Sequence, residues 1–492
     1  MHKKFIAAWL ICFVLVFVVG FHVELGGTAS GSEIIDEHTF VDDVGNLIEF
    51  DEPYQTIVSL DRIHTENLYA IGAGDLIEGV DTKSTFPIDV NSLPDFTFTE
   101  DSDIERLIEL NPDLVLITPY INSKHASFVT RLETAGLKVV SLEPDNLEEF
   151  PIYIQKLGLL TGESDNAETA LAEFDSDLQR IADRASHVEA KKSVFMESSE
   201  LGYLTASIDT LPYLALKNIN ADNIAEPELS KYPDGEMNIY GLDQILENKD
   251  QIDVYLTIVG GIDGGADIVS IKQKEAFKDI PAIENNKVFE MEYSLIDEYS
   301  FRYVLGNLEM ARAVYPEIFD DVSDFKNDDA LTRANFSEIV VKMLHAPIYI
   351  NTDSSYYDYD RYNHLYGSYE DVPWQDPQFD YIETASSRLY IKPESKVDKV
   401  ETFDKEGLVT KADVANFFYI LYNLSDSDTH QTISDISGRD DERIIQRVVD
   451  ANLLALEDGY FNPDQTYTNN EFISLMETTL QQNTIDLIEE IQ

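Results

Sequence analysis

The feature that most constrains this chain is an alternation of apolar runs and amphipathic segments that starts, stops and starts again. TIVSL (56–60) reads as a strand and HTENLYAIG (64–72) as a helix. LIEGV (76–80) reads as a strand and DIERLIEL (103–110) as a helix closed by Asn-Pro. DLVLIT, SFVTRLETAG and KVVSL continue the series as strand, helix and strand. Short continuous apolar strands between helices mark a parallel sheet covered on both faces. Ahead of this series, 38–56 reads as two short strands around a Val-Gly-Asn turn.

The alternation lapses over 147–190. There Ala167, Ala170, Leu171, Phe174, Leu178, Ile181, Ala182 and Ala185 recur at helical spacing and define one long amphipathic helix. It then resumes through SVFMES, DTLPYLALKN, LDQILENK, DVYLTIV, KVFEMEY and FRYVLGNLEMARAVYP. The spacing therefore predicts two α/β lobes, 38–146 and 191–320, joined through a helical linker region. Beyond about 321 the chain becomes helical, with a weak internal repeat. LTRANFSEIVVKML (331–344), LVTKADVANFFYILYNL (408–424) and YTNNEFISLMETTL (467–480) superimpose, each a polar start followed by a helix with one apolar face. The Tyr/Asp-rich stretch 349–370 reads as an insertion loop; its carboxylates lack the spacing of a Ca²⁺ loop.

Charge narrows the class of partner. Acidic residues number 93 against 35 basic, a formal net charge of -58. Such a chain has no basic face for phosphate, which excludes nucleic acid as a partner. It suits a saline exterior where salt screens self-repulsion. MHKK followed by FIAAWLICFVLVFVVGF and by small residues at Gly26–Ser30 reads, over 1–30, as an export signal or an N-terminal anchor. The only cysteine, Cys12, lies inside that run without the small residues of a lipid-attachment site, so the exported part has no disulfide and no thiol chemistry.

Two glycines invite a cofactor reading and do not support it. Gly72 and Gly74 follow a helix, whereas a dinucleotide fingerprint must open one. IGAGD is therefore a helix end and turn.

The ordered set IVSLDRIHTENLYAIGAGDLIEGVD, DIERLIELNPDLVLIT, LETAGLKVVSLEP, GLDQILENKDQIDVYL, AFKDIPAIENNKVFEM and LEMARAVYPEIF resembles the solute-binding proteins of iron–siderophore, haem and vitamin B12 ABC importers. The resemblance spans nearly all of 38–319. It implies two Rossmann-like lobes joined by one long helix, no intrinsic cofactor and no enzymatic activity. It also implies an iron complex, haem or corrinoid held between the lobes, and an ABC permease in the membrane as partner.

Within that reading the candidate ligand residues are those at strand ends. Arg62 and Lys83 in the first lobe and Arg302 in the second are candidate cations for an anionic complex, Arg offering a planar fork of donors. The same residues are equally readable as surface ion pairs. Tyr120, Tyr203 and Tyr293 are candidate aromatic walls or phenol donors. His64 is a candidate haem ligand or a helix-start residue, and His125 lies near another strand end; no close His pair marks a bare metal site. The resemblance implies one docking carboxylate per lobe, at Glu105 and Asp243. The C-terminal 321–492 resembles degenerate S-layer homology repeats, with Thr332-Arg333-Ala334 the best-kept motif, then Thr410-Lys411-Ala412, then Thr468-Asn469-Asn470. Arg333, Lys411 and Trp374 are its candidate contacts to cell-wall polysaccharide. A glycan-active wall enzyme is the rival class, but no G-x-S-x-G or H-E-x-x-H occurs.

Overall fold

The computed structural model describes residues 33–98, 104–208, 210–226, 239–260, 264–346, 348, 369, 371–372, 376–388, 395–397, 400–425 and 431–482. Residues 1–30, read above as an export signal or anchor, Trp374 and almost all of the 349–370 stretch lie outside them.

The first lobe is built on β4 (Ile57–Ser59), β5 (Ile77–Asp81), β6 (Asp95–Phe96), β7 (Leu114–Ile117) and β8 (Val139–Ser141), in the order β6-β5-β4-β7-β8, every pair parallel. β4 and β7 are buried along their whole length, which is why they are uninterrupted apolar runs. The chain runs outward from β4 through β5 and β6, then returns to β7 and β8. The switch point falls between β4 and β7, and their C-terminal ends mark where open α/β sheets place a ligand. A three-stranded antiparallel sheet, β1 (Ile34–Asp36), β2 (Thr39–Val41) and β3 (Leu47–Glu49), precedes the lobe.

Helix α1 (Arg62–Ala70) opens straight from β4, with Asp61 as N-cap accepting from Ile63 N–H. Gly72, at φ +82°, ends it, and Gly74 packs where a Cβ would stand 2.4 Å from the Tyr69 ring. The two glycines close a helix, as their position after it requires.

The linker region holds two helices. α5 (Phe150–Thr161) ends on Gly162 in the left-handed conformation, and α6 (Ser164–Ala185) carries the predicted apolar stripe. α5 belongs with the first lobe: Lys156, 1 % exposed, reaches Asp43 at 2.7 Å. α6 is the long connector.

The second lobe carries β9 (Ser193–Ser199), β10 (Leu204–Thr205), β11 (Asp222–Asn223), β12 (Val254–Val259) and β13 (Val288–Glu292), in the order β10-β9-β12-β13 with β11 beside β9. Only β10 is antiparallel. One apolar core runs from Ile57 and Leu114 through Phe150 and Phe174 to Val194, Leu256 and Tyr303, so lobes and linker share an interior. Burial of that continuity, rather than flexible crossovers, joins the lobes.

The last helix of the second lobe, Tyr303–Val314, carries the junction to the C-terminal region. Arg312 is buried there, bonded to Asp320 (2.6 Å), Glu309 (2.7 Å) and the Ala346 carbonyl (2.9 Å). The three repeat helices, Arg333–Met343, Lys411–Leu421 and Asn469–Gln482, close a ring. Arg333 and Ala334 N–H groups bond to Gly407 and Lys405, Lys411 and Ala412 to Gln465 and Pro463, Asn469 and Asn470 to Asp329 and Asn327. The loop before each repeat helix thus accepts from the orphan donors at the start of another repeat's helix.

The structure corrects the expectation for Arg333 and Lys411. Both are buried rather than free to solvent: Arg333 donates to the Phe403 carbonyl at 2.7 Å and lies over the Phe403 ring, and Lys411 donates to the Ala455 carbonyl at 3.0 Å and lies over Phe461. A buried cation needs such partners, and here the neighbouring repeat supplies them.

Candidate functional site

The predicted ligand residues divide into those the lobes bring together and those they do not. Arg62, at the start of α1, reaches across the boundary and is paired with Glu298. Its guanidinium also lies 5.7 Å from the Tyr293 ring centroid. One turn further along α1, Glu66 receives Arg302 of the second lobe at 3.0 Å. The Arg302 guanidinium stacks over Phe86 of the first lobe at 4.2 Å. Asn67 completes the face, donating to the Tyr299 carbonyl (2.9 Å) and accepting from Phe301 N–H (3.3 Å). Tyr299 returns a bond from its hydroxyl to the Asp145 carbonyl at 3.0 Å.

This geometry corrects the picture of two free cationic clamps. Positions 62 and 66 are one helical turn apart and face the same way. Their charges, plus then minus, meet minus then plus at 298 and 302. Each predicted clamp residue is therefore neutralised by a carboxylate of the opposite lobe. Glu66 and Glu298 are both buried, and burial raises the Glu66 pKa against the pull of Arg302 and Arg62.

His64 is corrected more sharply. It is 1 % exposed, with Nδ1 2.8 Å from the Tyr153 hydroxyl and Nε2 3.1 Å from the Ile117 carbonyl. A carbonyl can only accept, so Nε2 carries the proton and Nδ1 accepts from the phenol. Burial lowers the pKa to about 4, and the ring is neutral. Both nitrogens are engaged in the core, leaving none for haem iron. His125 packs edge-on against Phe98 and Tyr120.

Tyr203 packs on Phe277 and under Lys274 inside the second lobe. Tyr120 is exposed on the first turn of α3 (Pro119–Lys124), directly after β7, and Lys83 is exposed just after β5. Both stand at the C-terminal ends of first-lobe strands. Glu105 and Asp243 are exposed, each in the first turn of its helix, α2 (Ile104–Leu110) and Leu242–Glu247.

Sequence reasoning missed the carboxylates. Asp61, Glu143 and Glu292 are half-buried at strand ends of the two lobes, and Asp297, half-buried too, caps the helical turn Tyr293–Ile296 that follows β13. Burial, then the charges of Asp61, Asp145 and Asp43, raises Glu143 to about 7. Burial alone raises Asp297 to about 7. Asp61 and Glu292 are raised as well, burial first. The one sequence signal was position: each follows a strand or a strand-end turn. Open depressions of about 360 and 450 Å³ elsewhere, around Arg439, are lined wholly by C-terminal residues, and Arg439 is tied to Asp441 and Asp464 there.

Residues 57–294 match the periplasmic binding protein family. A Bacillus subtilis protein described as an uncharacterized ABC transporter substrate-binding lipoprotein is 27% identical over 286 residues, 57% of this chain and 87% of its own length. A vitamin B12-binding protein of Vibrio campbellii is 25% identical over 250 residues, 51% of this chain and 86% of its own. Among solved structures, a possible iron-binding periplasmic solute-binding protein of Staphylococcus epidermidis aligns over 54% of this chain and 100% of its own, at 23% identity and a TM-score of 0.45. Proteins of this family bind small solutes and work with ABC permeases. Among the described residues no helix is long and apolar enough to cross a membrane.

Proposed function

We propose that the chain is the exported binding component of an ABC importer, capturing a metal chelate of the iron–siderophore, haem or corrinoid class between its lobes and delivering it without chemical turnover. The observation that supports this is the meeting of the first-lobe segment after β4 with the second-lobe segment 292–302, beside the β4/β7 switch point. Glu105 and Asp243, exposed one per lobe, are the carboxylates we assign to permease docking. Native mass spectrometry of the protein purified from its own cells tests the reading. A bound metal chelate supports it; glycan turnover in an activity screen, with no chelate retained, would replace it with the wall-enzyme reading.

The C-terminal ring is the part we assign to cell-wall attachment. Its buried Arg333 and Lys411 hold the ring together, so any glycan contact falls to other side chains. Co-sedimentation with purified wall polysaccharide tests this assignment.

A further inference from the structure

β9 carries a carboxylate that its core does not need. Glu197 is fully buried, follows the apolar run Val194-Phe195-Met196, and forms no ion pair among the described residues. An apolar side chain would be cheaper there, because a buried charge is costly unless its hydrogen bonds are made. Both oxygens make them. Oε2 accepts from the Tyr255 hydroxyl of β12, and Oε1 accepts from Ala266 N–H at 2.8 Å. Ala266 belongs to the segment after β12, which folds back over the sheet. Its carbonyl accepts from Thr257 Oγ1 (2.8 Å), Gly265 N–H donates to the Ile258 carbonyl (2.7 Å), and the Gly264 carbonyl accepts from Glu200 N–H (3.3 Å). A Cβ on Gly265 would collide with Thr257 Oγ1 and stand 2.9 Å from the Glu197 carbonyl oxygen, so the seat takes glycine.

The seat lies at a particular place in the sheet. β11 pairs on one side of β9, and the chain then crosses to β12 on the other, so the switch point of the second lobe falls between β9 and β12. It is the counterpart of β4/β7 in the first lobe, at the edge where open α/β sheets bind ligands. β13, whose following segment meets α1, runs parallel beside β12. An independent feature points to a ligand on this edge. The three most exposed large hydrophobic side chains among the described residues are Leu201 (72 %), Val269 (60 %) and Tyr120 (58 %). They follow β9, β12 and β7, three of the four switch-point strands. Apolar side chains left in water at such strand ends mark a contact surface.

We propose that Glu197 is the positioning residue of the second-lobe ligand wall: by seating 264–266 across the β9/β12 switch point, it presents Val269 to an apolar face of the bound chelate. The proposal rests on reading the chain as a solute-binding protein. Val269 stands in the first turn of the short helix Ile268–Gln273, three residues beyond the Glu197 bond. The Glu200 bond to Gly264 ties the Leu201 turn to the same seat, so both side chains are fixed before a ligand arrives.

The test titrates a ferric trihydroxamate, haemin and cyanocobalamin into the full chain by fluorescence quenching, with native-state hydrogen exchange read alongside. Glu197→Ala removes both acceptors. Gly265→Ala breaks the seat without touching the carboxylate. Val269→Ser alters an exposed side chain and leaves the seat whole. For whichever probe binds the wild type, Glu197→Ala and Gly265→Ala should each weaken affinity about tenfold or more, and Val269→Ser about threefold or more. Glu197→Gln should stay within about threefold of the wild type, because its amide oxygen still accepts from Ala266 N–H and its amide nitrogen donates to the Tyr255 oxygen. Exchange at 264–271 should speed up in Glu197→Ala and Gly265→Ala, while β4 and β7 keep their protection. Unchanged affinity in Glu197→Ala or in Val269→Ser overturns the proposal, as does a Glu197→Gln protein as weak as Glu197→Ala or unchanged exchange at 264–271. A wild type that binds none of the three probes sinks the solute-binding reading and the proposal with it; a wild type that binds while the variants bind equally well sinks the proposal alone.

Discussion

Arg302 of the second lobe donates to Glu66 of the first at 3.0 Å, and four residues back along each segment Arg62 and Glu298 pair in the reverse sense. The lobes are thus held by a crossed couple of ion pairs, flanked by the Asn67 bonds to Tyr299 and Phe301.

Breaking one arm of that couple should be costly. Glu66 and Arg302 are both largely buried, and removing one partner leaves the other charge desolvated. Glu66→Ala or Arg302→Ala should cost about 3 kcal/mol in chemical denaturation. The double variant should lose less than the sum of the two, because no lone charge remains. Additive losses would show that the pair is not coupled. With the couple intact and one core running through α6, small-angle scattering curves with and without ligand should nearly coincide. A large compaction would contradict the shared interior.

His64 gives a stability signature in acid. Its pKa is about 4 in the fold against 6.5 in the free side chain. A base whose pKa is lowered by folding supports the native state while neutral. That support is whole above about pH 6.5 and is lost as pH falls toward 4, a total of about 3 kcal/mol. His64→Phe should flatten this part of the stability–pH curve. Haem, if added, should show no spectral change specific to the loss of His64; such a change would reinstate it as a ligand.

Most of the fold was legible because the periodicity it depends on is local. β4, β7 and β12 are buried on both faces, and their continuous apolar runs say so. The stripe from Ala167 to Ala185 marked α6 for the same reason. The break at Gly162 and the membership of α5 in the first lobe depend on Lys156 finding Asp43, 113 residues away, which no window detects. The site was half legible. Position after a strand correctly drew attention to Arg62 and Arg302. Their neutralisation depends on which side chains face them from the other lobe, and the mirrored order Arg62…Glu66 against Glu298…Arg302 has meaning only once the lobes are docked. The ring of repeats was likewise invisible, because its bonds join each helix start to a loop of another repeat.

Ligand binding should depend on pH in a definite direction. Glu143, beside Asp61, Asp145 and Asp43, and Asp297 both titrate near 7, while Tyr293 and Tyr299 around them are raised and stay neutral. Above 7 the cleft gains negative charge and below it loses charge. The thermal shift produced by a cationic chelate should therefore be larger at about pH 8 than at about pH 6. The apo protein should show the reverse trend from these two groups, since a carboxyl raised by folding contributes fully below its ordinary pKa of about 4 and loses that contribution as pH rises through its folded value near 7. A pH-independent ligand shift would remove both carboxylates from the site.

Glu105 separates docking from binding. It is exposed in the first turn of α2, and no described contact ties it to the lobe boundary. Glu105→Arg should leave chelate affinity unchanged in titration and abolish uptake by intact cells, because reversing a rim charge acts on the encounter with the partner. Asp243→Glu, which lengthens the arm on the second lobe, should retain uptake. A fall in affinity matching the fall in uptake would move Glu105 from the docking face to the cleft.

The ring closure predicts that the three repeats unfold together. Phe336 is 3 % exposed and packs at once on Phe417 (5.4 Å) and Phe472 (4.9 Å), one ring from each of the other two repeat helices. The backbone bonds at the helix starts run the same circuit, so each repeat that opens takes away the acceptors of one other repeat's helix-start donors. Phe336→Ala removes the shared ring and leaves a cavity, a loss of about 3–5 kcal/mol. Native-state hydrogen exchange should then speed up in Arg333–Met343, Lys411–Leu421 and Asn469–Gln482 alike, while β4 and β12 keep their protection. Arg312, bridging Glu309, Asp320 and the Ala346 carbonyl, marks where the effect should stop. Faster exchange confined to Arg333–Met343 would mean that the repeats are strung in series rather than closed.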